Sequence, residues 1–222
     1  MVFGLFGKGS ADDDADLPEE LGPLGVAIGG AIEIDALGVQ AALASGTPAI
    51  VPPVGGTFIV AAVGTAKLDT ATELTRYYDN DDRILQLMSS PDGGMETVDD
   101  VSLYRPLDSV VPMTDAEWTR WTGRDGMIGQ PRYDADGLIY DRFWGDGEGR
   151  VDLVEFTEDI NDGAAKRAIH QMCMLYARPV GDMDEMLLIN IEREVGAHAE
   201  RQGGSVEFMI GYGLSAADIR RV

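Results

Sequence analysis

The most informative stretch of the chain is Thr75-Arg76-Tyr77-Tyr78-Asp79-Asn80-Asp81-Asp82-Arg83-Ile84-Leu85-Gln86-Leu87. Its four central Asx residues suit a turn, because their side chains satisfy turn backbone and tolerate positive φ. We therefore predict a hairpin with strands over residues 72 to 78 and 84 to 88. Arg76 and Arg83 would flank the turn and neutralise part of its charge, and strand alternation would pack Tyr77 or Tyr78 inward. This block is the main candidate for an interaction or structural site.

The same turn offers oxygen ligands to a hard cation. Asp79, Asp81 and Asp82 provide three carboxylates next to the Asn80 amide, which is the chemistry that Ca²⁺ and Mg²⁺ prefer. Loop sites usually alternate their ligands, whereas these residues are adjacent. A plain turn is the favoured interpretation, and a cation site is the alternative.

A second acidic loop has better spacing for calcium. Residues 144 to 155 match an EF-hand loop at the positions of Asp146, Glu148, Gly149, Val151, Asp152 and Glu155. The first position is Trp144 instead of Asp, and the flanks have strand character where an EF-hand needs helices. A charged, glycine-rich hairpin is therefore favoured here as well. The Gly29-Gly30 and Gly55-Gly56 pairs lack the context of a nucleotide-binding loop, so no cofactor is predicted.

Strand signals dominate the rest of the chain. Short runs rich in Val, Ile, Leu, Tyr and Phe are separated by Gly, Asp and Pro clusters. They cover residues 26 to 34, 57 to 68, 72 to 78, 84 to 88, 95 to 104, 138 to 144, 151 to 157, 184 to 194 and 205 to 212. This spacing predicts a mainly β or β-rich α+β fold, with antiparallel sheets in a sandwich or barrel-like arrangement.

Two or three short helices accompany the strands. Thr114-Asp115-Ala116-Glu117 is a capping box that opens a helix ending at Gly123. Ser215-Ala216-Ala217-Asp218 opens a final helix in the same way. Residues 163 to 176 fit either state, because a helix-favouring start precedes an apolar run.

Three landmarks carry a family resemblance: the stretch from Pro23 to Asp35, the Arg76-Tyr77-Tyr78 block, and the stretch from Met186 to Glu192. Over residues 21 to 215 the chain resembles the YjfK-like bacterial family of unknown function. The resemblance implies no activity and no catalytic residues. It implies a setting, since such proteins are encoded near a phage-shock-type membrane-stress protein and an ATP-grasp ligase-like protein.

Composition limits the class of partner. With 222 residues and 45% apolar content, the chain can form one β-rich domain over residues 21–222, preceded by a flexible apolar and acidic tail over residues 1–20. Its formal charge of -22 would repel nucleic acid and anionic lipid. The acidic surface is either simply well solvated or a docking face for a basic protein partner.

Compartment signals are few. Residues 1–8 are too short and too poor in basic residues for a signal peptide, so a cytoplasmic location is predicted, with peripheral membrane contact through Phe3, Leu5 and Phe6 left open. Prolines and glycines interrupt the uncharged run between Asp35 and Lys67, which favours buried strands over a transmembrane segment. The lone Cys173 excludes an intrachain disulfide, and we expect a buried core thiol.

The sequence contains no recognisable catalytic constellation. We therefore expect a non-catalytic, cytoplasmic accessory protein that binds another protein, with a possible link to membrane-stress machinery through the family. The alternative is a divalent-cation-binding protein, or a cation-dependent enzyme, that uses the carboxylates of the two acidic loops. The sequence therefore leans against enzymatic activity without deciding it.

Overall fold

The computed structural model describes residues 19–53, 55–195 and 204–222. Residues 1–18 of the predicted tail over residues 1–20, with Phe3, Leu5 and Phe6, lie outside these ranges. The described residues form two α-helices, α1 (Leu37–Leu43) and α2 (Asp115–Thr122). Their strands are β1 (Ala31–Ile34), β2 (Gly56–Ile59), β3 (Ala62–Lys67), β4 (Glu73–Tyr78), β5 (Ile84–Ser89), β6 (Val98–Val110), β7 (Arg132–Ala135), β8 (Leu138–Arg142), β9 (Val154–Asn161), β10 (Lys166–Val180), β11 (Met183–Glu194), β12 (Ser205–Leu214) and β13 (Ile219–Arg221).

Eight of these strands close into an antiparallel barrel. The hydrogen-bonded order is β3-β4-β5-β6-β12-β11-β10-β9, and pairing of β9 with β3 closes the barrel. Strand β10 is long enough to serve two partners on one edge: residues 166–173 pair with β9, and Tyr176 and Ala177 pair with β8. The prediction of a mainly β fold with antiparallel, barrel-like sheets and two short helices is confirmed.

The predicted hairpin is present. Strands β4 and β5 pair from Glu73 with Ser89 to Tyr78 with Ile84, and Asp82 takes a φ of 56° in the turn. The ambiguous residues 163 to 176 belong mainly to β10. After His170, apolar side chains pack on both faces of this strand. Pairing with two neighbours along most of its length outweighs the helix propensity of Ala164 and Ala165.

One outer layer covers the barrel wall formed by β3 to β6. It is a three-stranded antiparallel sheet in the order β13-β1-β2. Its apolar side chains, such as Ile32 and Phe58, pack with outward-facing barrel residues such as Leu85. Tyr77 also points outward: its hydroxyl accepts from Leu24 N (3.1 Å) and donates to Leu21 O (2.9 Å), and so holds the start of the described chain against the wall.

A second layer covers β10 to β12 and contains α1, α2 and the β7–β8 hairpin. Glu185 is buried beneath it and accepts hydrogen bonds from the hydroxyls of Tyr140 and Tyr212, each at 2.7 Å. It also accepts from Ala49 N at 2.7 Å and forms an ion pair with Arg178 at 2.8 Å. This carboxylate therefore has a full set of partners and ties the outer layer to the barrel.

The two capping boxes have different outcomes. Thr114 and Glu117 cap α2 reciprocally, and Gly123 follows its last residue, which confirms the predicted helix. Ser215 and Asp218 also form a capping box, but the turn it opens is a three-residue 3₁₀-helix that leads directly into β13. The predicted final helix is therefore wrong, because pairing of β13 with β1 takes the last residues. None of the helices in the described ranges is both long enough and apolar enough to cross a membrane.

Candidate functional site

The interior of the barrel, here called the lumen, contains a group of buried polar side chains. Residues at alternate positions of a strand point to the same face, so β4 directs Leu74, Arg76 and Tyr78 inward while Tyr77 points outward. The same alternation brings polar residues inward from β5, β9, β10 and β11. The resulting polar cluster consists of Arg76, Tyr78, Gln86, Glu158, Gln171 and Asn190.

Arg76 is the donor at the centre of the polar cluster. Its Nη1 donates to Glu158 Oε2 at 3.1 Å and to Gln171 Oε1 at 2.8 Å, and its Nε donates to Gln86 Oε1 at 3.0 Å. The guanidinium carbon also lies 5.4 Å from the ring centroid of Phe156. Arg76 is 1% exposed, and its guanidinium is held by a carboxylate, two amides and an aromatic ring.

Glu158 supplies the balancing charge. It is fully buried; its Oε1 accepts from the hydroxyl of Tyr78 at 2.6 Å, and its Oε2 accepts from Gln171 Nε2 at 2.5 Å as well as from Arg76. The carboxylate lies against Gly64 of β3, where an added Cβ would stand 1.8 Å from Glu158 Oε1. Glycine at this position is therefore what allows the carboxylate to enter the lumen.

The electrostatics of the cluster favour one charged pair and neutral neighbours. Burial is the largest single influence and disfavours the charged guanidinium, but the interactions with Glu158, Tyr78 and Cys173 together outweigh it and raise the pKa of Arg76 above its ordinary value. Burial, with the nearby Glu158 carboxylate, raises the pKa of Tyr78 well above its ordinary value. At neutral pH the cluster therefore holds a cationic Arg76, and Tyr78 remains a hydrogen-bond donor.

The cluster extends towards one end of the barrel through Asn190. Its Nδ2 donates to Gln171 Oε1 and, at 3.1 Å, to Glu192 Oε1. Burial raises the pKa of Glu192, although Arg76 opposes the shift. Within the described ranges, Asn190 Oδ1 is buried and has no hydrogen-bond partner.

Two cavities adjoin the polar cluster from opposite sides. The first, here called the apolar cavity, has a volume of about 260 Å³ and contains Arg76 and Gln86 in a wall that is otherwise mainly apolar. It is lined by Leu68, Leu74, Arg76, Gln86, Met88, Tyr104, Trp144, Val154, Phe156, Cys173, Leu175 and Leu188. The second has a volume of about 540 Å³ and is lined by Tyr78, Glu192, Glu207 and Arg167, among others. Small eight-stranded barrels have room in their interior for one small ligand.

Comparison with known proteins gives a family match over almost the whole chain. Residues 1–220 match the family described as protein of unknown function (DUF2491). The chain belongs to this family. It is also 28% identical, over 174 residues, to the uncharacterized protein YjfK of Escherichia coli (strain K12), an alignment that covers 77% of this chain and 78% of that protein. No solved structure matches. The predicted YjfK-like membership is thus confirmed, and the DUF2491 family carries no established activity.

In this DUF2491 member, the predicted Arg/Tyr/Asp block is divided between three places. Arg76 and Tyr78 lie in the lumen and Tyr77 lies on the outer wall, so Arg76 does not flank the turn. Asp79 stays in the turn: its Oδ1 accepts from the backbone N–H groups of Asp81 and Arg83, each at 2.9 Å, and its Oδ2 pairs with the Arg83 guanidinium at 2.5 Å. Both carboxylate oxygens of Asp79 are therefore engaged by groups of the turn itself.

Asp81 and Asp82 are exposed at the same turn. Among the residues that the structure describes, no group of three or more His, Cys, Asp or Glu side chains is placed to hold a metal ion. The cation hypothesis for this turn stays a prediction that needs a binding measurement.

An arginine occupies the middle of the second acidic loop. Arg142, at the end of β8, donates to the carbonyl oxygens of Gly145 (3.2 Å), Gly147 (2.8 Å) and Gly149 (2.7 Å). The loop is flanked by strands β8 and β9. Asp146, Glu148 and Asp152 are exposed, and Glu155 lies 3.6 Å from His170. A guanidinium thus binds the loop carbonyls from within, and the flanking secondary structure differs from that of an EF-hand.

Cys173 and His170 lie on opposite faces of β10. Residues three apart on a strand point in opposite directions, so Cys173 faces the apolar cavity while His170 faces outward towards Glu155. Burial raises the pKa of Cys173 to about 11. The thiol is buried and protonated at neutral pH, as expected for a core cysteine and not for a nucleophile paired with a histidine.

Sequence reasoning missed Glu158, Gln171 and Asn190. A signal for Glu158 was available, because it stands between Phe156 and Ile160 at the spacing of inward-facing residues on a strand. Gln171 occupies a similar position between Ile169 and Cys173, whereas Asn190 stands between Leu188 and Glu192. Charge and amide groups in such places are uncommon unless they are paired inside the fold.

Proposed function

We propose that this protein is a non-catalytic binding protein whose lumen holds a small molecule. The observation that carries the proposal is the apolar cavity of about 260 Å³ beside a buried polar cluster. Well-packed interiors contain few voids much larger than a water molecule. An engineered cavity of about 150 Å³ with an apolar lining already binds benzene, so this lumen has room for a larger guest.

The state of the buried ionisable groups supports binding without chemistry. Arg76 and Glu158 satisfy one another, Tyr78 donates to the same carboxylate, and Cys173 is held protonated by burial. A general base or nucleophile needs a pKa suited to its task and a free path to the substrate. The ionisable groups of the lumen instead engage one another, which is typical of a structural support for a binding site.

The test is a titration with fluorobenzene, followed through its ¹⁹F resonance. Fluorobenzene is small enough for the apolar cavity, and we expect a saturable shift or broadening with one site per chain. The substitution Leu188→Phe fills the cavity from its wall and should abolish the effect. The matched control Leu37→Phe makes the same change on α1, where Leu37 is 69% exposed, and should leave binding unchanged. Absence of saturable binding, or equal binding by Leu188→Phe, would refute the function.

A second function, binding of a protein partner, is favoured by the distribution of charge. Among the described residues the buried acidic side chains are Asp79, Glu158 and Glu185, and each forms an ion pair with an arginine. These pairs cancel, so the formal charge of -22 belongs to the remaining residues. Such a surface supports docking of a basic partner, with rates and affinity that fall as salt screens the charges.

The partner hypothesis is tested by capture from the native host at low and high salt, using the full chain and a variant lacking residues 1–16. A reproducible partner that dissociates as salt rises would support an accessory interaction protein, and a membrane-stress protein would be the partner implied by the family setting. A cytoplasmic location belongs to the same proposal. A complex that ignores salt would exclude the acidic surface as the docking site.

A further inference from the structure

The guanidinium of Arg76 has one nitrogen that the polar cluster leaves unused. Its Nη1 donates to Glu158 and Gln171, and its Nε donates to Gln86. Nη2 forms no hydrogen bond within the described ranges, and unlike Trp144 Nε1, an enclosed nitrogen of the same cavity wall, it retains a small accessible surface. A guanidinium carries five N–H donors, so the two on Nη2 remain available to a guest.

Nη2 lies on the side of the guanidinium that borders the apolar cavity. The planar group presents the N–H bonds of Nε and Nη2 in parallel at one edge. Nε points to Gln86, and both Arg76 and Gln86 line the cavity. Nη1 binds Glu158, which belongs to the polar cluster. The free donor therefore stands where the polar cluster meets the cavity.

The charges around Nη2 favour a neutral acceptor over an ionised one. A hydrogen bond from a charged donor is stronger than one between neutral groups, so Arg76 attracts any oxygen acceptor. Glu158 already balances its charge at 3.1 Å, and Arg76 is the one charged residue among the described residues of the cavity wall. A carboxylate guest would therefore leave a net negative charge buried, and because Nε and Nη1 are engaged, it could not use the two-nitrogen fork.

The volume of the cavity sets the size of the guest. Benzene, with six carbon atoms, is accepted by an apolar cavity of about 150 Å³. Scaling to the 260 Å³ of this cavity gives a guest of about ten non-hydrogen atoms. Most of the wall is apolar, with Phe156 and Leu188 among its residues, so the body of the guest is apolar as well. A single ring that carries one carbonyl group meets both conditions.

We propose that the lumen binds a neutral, mainly apolar molecule of this size through a carbonyl oxygen that accepts from Arg76 Nη2, and that Glu158 sets the preference for a neutral guest. This inference rests on the proposed function and adds the ligand class and a residue that determines specificity. Glu158 acts through Arg76, by balancing its charge. In Glu158→Gln the guanidinium loses this balance, and an ionised guest gains the advantage.

The experiment compares acetophenone, cumene and benzoate as competitors of fluorobenzene at pH 7.5. Each adds three non-hydrogen atoms to a phenyl ring, and they present a carbonyl, two methyl groups and a carboxylate. The ratio of acetophenone affinity to cumene affinity cancels general changes in packing. Arg76→Lys keeps a positive charge but has no nitrogen at the Nη2 position, so it should lower this ratio about tenfold to hundredfold, the effect of one charge-assisted hydrogen bond. Arg132→Lys makes the same change at an exposed site and should leave the ratio unchanged.

A second measurement needs no variant. In guanidinium ¹H–¹⁵N spectra of the full chain, the Arg76 signals are identified by their proximity to the ring of Phe156, whose centroid lies 5.4 Å from the guanidinium carbon. We expect acetophenone to move an Nη signal of Arg76 downfield in a saturable manner, because its oxygen accepts from that nitrogen. Cumene has no acceptor and should not produce this downfield shift.

The charge preference is tested with benzoate. The unaltered chain should bind acetophenone at least tenfold more tightly than benzoate, as an order-of-magnitude consequence of burying the carboxylate charge. Glu158→Gln should reduce this preference at least tenfold, since benzoate then supplies the missing counter-charge, also to an order of magnitude. If Glu158→Gln folds poorly, benzoate should raise its melting temperature more than acetophenone does.

The possible failures are distinguishable. An unchanged acetophenone-to-cumene ratio in folded Arg76→Lys, or an unmoved Arg76 signal, would overturn the contact with Nη2 while the lumen function stands. Tighter binding of benzoate than of acetophenone by the unaltered chain would overturn the neutral ligand class. A charge preference that is the same in Glu158→Gln would overturn the role of Glu158. Failure of fluorobenzene itself to bind would refute both the ligand class and the lumen function.

Discussion

Replacing Arg76 by methionine removes a guanidinium from the lumen and leaves the carboxylate of Glu158 buried without its counter-charge. The arginine donates hydrogen bonds to Glu158, Gln171 and Gln86, and methionine replaces only its apolar stem. Breaking a buried ion pair by removing one partner costs about 3–5 kcal/mol. We expect a loss of this size in the free energy of unfolding of Arg76→Met at pH 8.

The loss should depend on pH in a predictable direction. In Arg76→Met the carboxylate of Glu158 is buried without a cation, and burial disfavours the charged form of an unpaired carboxyl group. A group of this kind favours folding most below its unfolded pKa, and the advantage is lost as pH rises through the folded pKa. Arg76→Met should therefore recover part of its stability between pH 8 and pH 5. Glu158→Gln leaves the unpaired charge on an arginine that cannot deprotonate, so its loss should not shrink on acidification.

The assay is urea unfolding followed by circular dichroism and tryptophan fluorescence, with coincident transitions required before free energies are compared. The double variant Arg76→Met/Glu158→Gln should lose less than the sum of the single losses, by about 1–3 kcal/mol. Arg132→Met is the control, because its ion pair with Asp141 is exposed and should be worth at most about 1 kcal/mol. A loss below about 1 kcal/mol for Arg76→Met, or one that is the same at both pH values, would refute the description of the cluster as a charged buried pair.

Three further outcomes follow from the structure. Gly64→Ala should lose about 1–3 kcal/mol in urea unfolding because its Cβ would overlap a buried carboxylate, whereas Gly213→Ala, with open space at the Cβ position, should change stability little; equal losses would contradict the close approach. Arg142→Gln should make the 145–149 loop sensitive to limited proteolysis, because three loop carbonyls lose their donor. The control Arg124→Gln changes an exposed arginine and should not have this effect. A loop that stays resistant in Arg142→Gln would contradict this role of Arg142. Burial raises the pKa of Tyr140 to about 12, so the neutral phenol contributes stability that is lost as pH rises from about 10 to about 12. Tyrosinate absorbance should therefore appear together with unfolding. Tyrosinate formation near pH 10 in the folded protein would count against this prediction.

Several elements of the fold were predictable because their signals are local. The β4–β5 hairpin follows from apolar runs on either side of an Asx-rich turn, and α2 follows from a reciprocal cap. Local sequence signals failed where pairing with a distant strand decided the secondary structure. The residues after Ser215 carry a cap, yet pairing with β1 makes them a strand, and α1 has no side-chain cap to announce it.

The candidate site was predictable only in part. Arg76 and Tyr78 stood out in the sequence, but as neighbours of a turn. Their partner Glu158 lies 82 positions from Arg76, and no local pattern connects the two. Outer layers cover the outside of the barrel over much of its surface, so both faces of many strands are buried. Strand alternation then separates two faces of each strand, but it does not indicate which face points into the lumen.

The sequence by itself determined what depends on nearest neighbours and on composition: the β-rich class, the hairpin turn, the helix cap, the acidic charge and the family. Only the tertiary structure decided which side chains share the lumen. Closure of β9 onto β3 and β10 onto β11 brings Arg76, Glu158 and Gln171 together and leaves a cavity beside them. Hydrogen-bonded pairing between distant strands sets this arrangement, and a buried charge persists there because the fold supplies its partner.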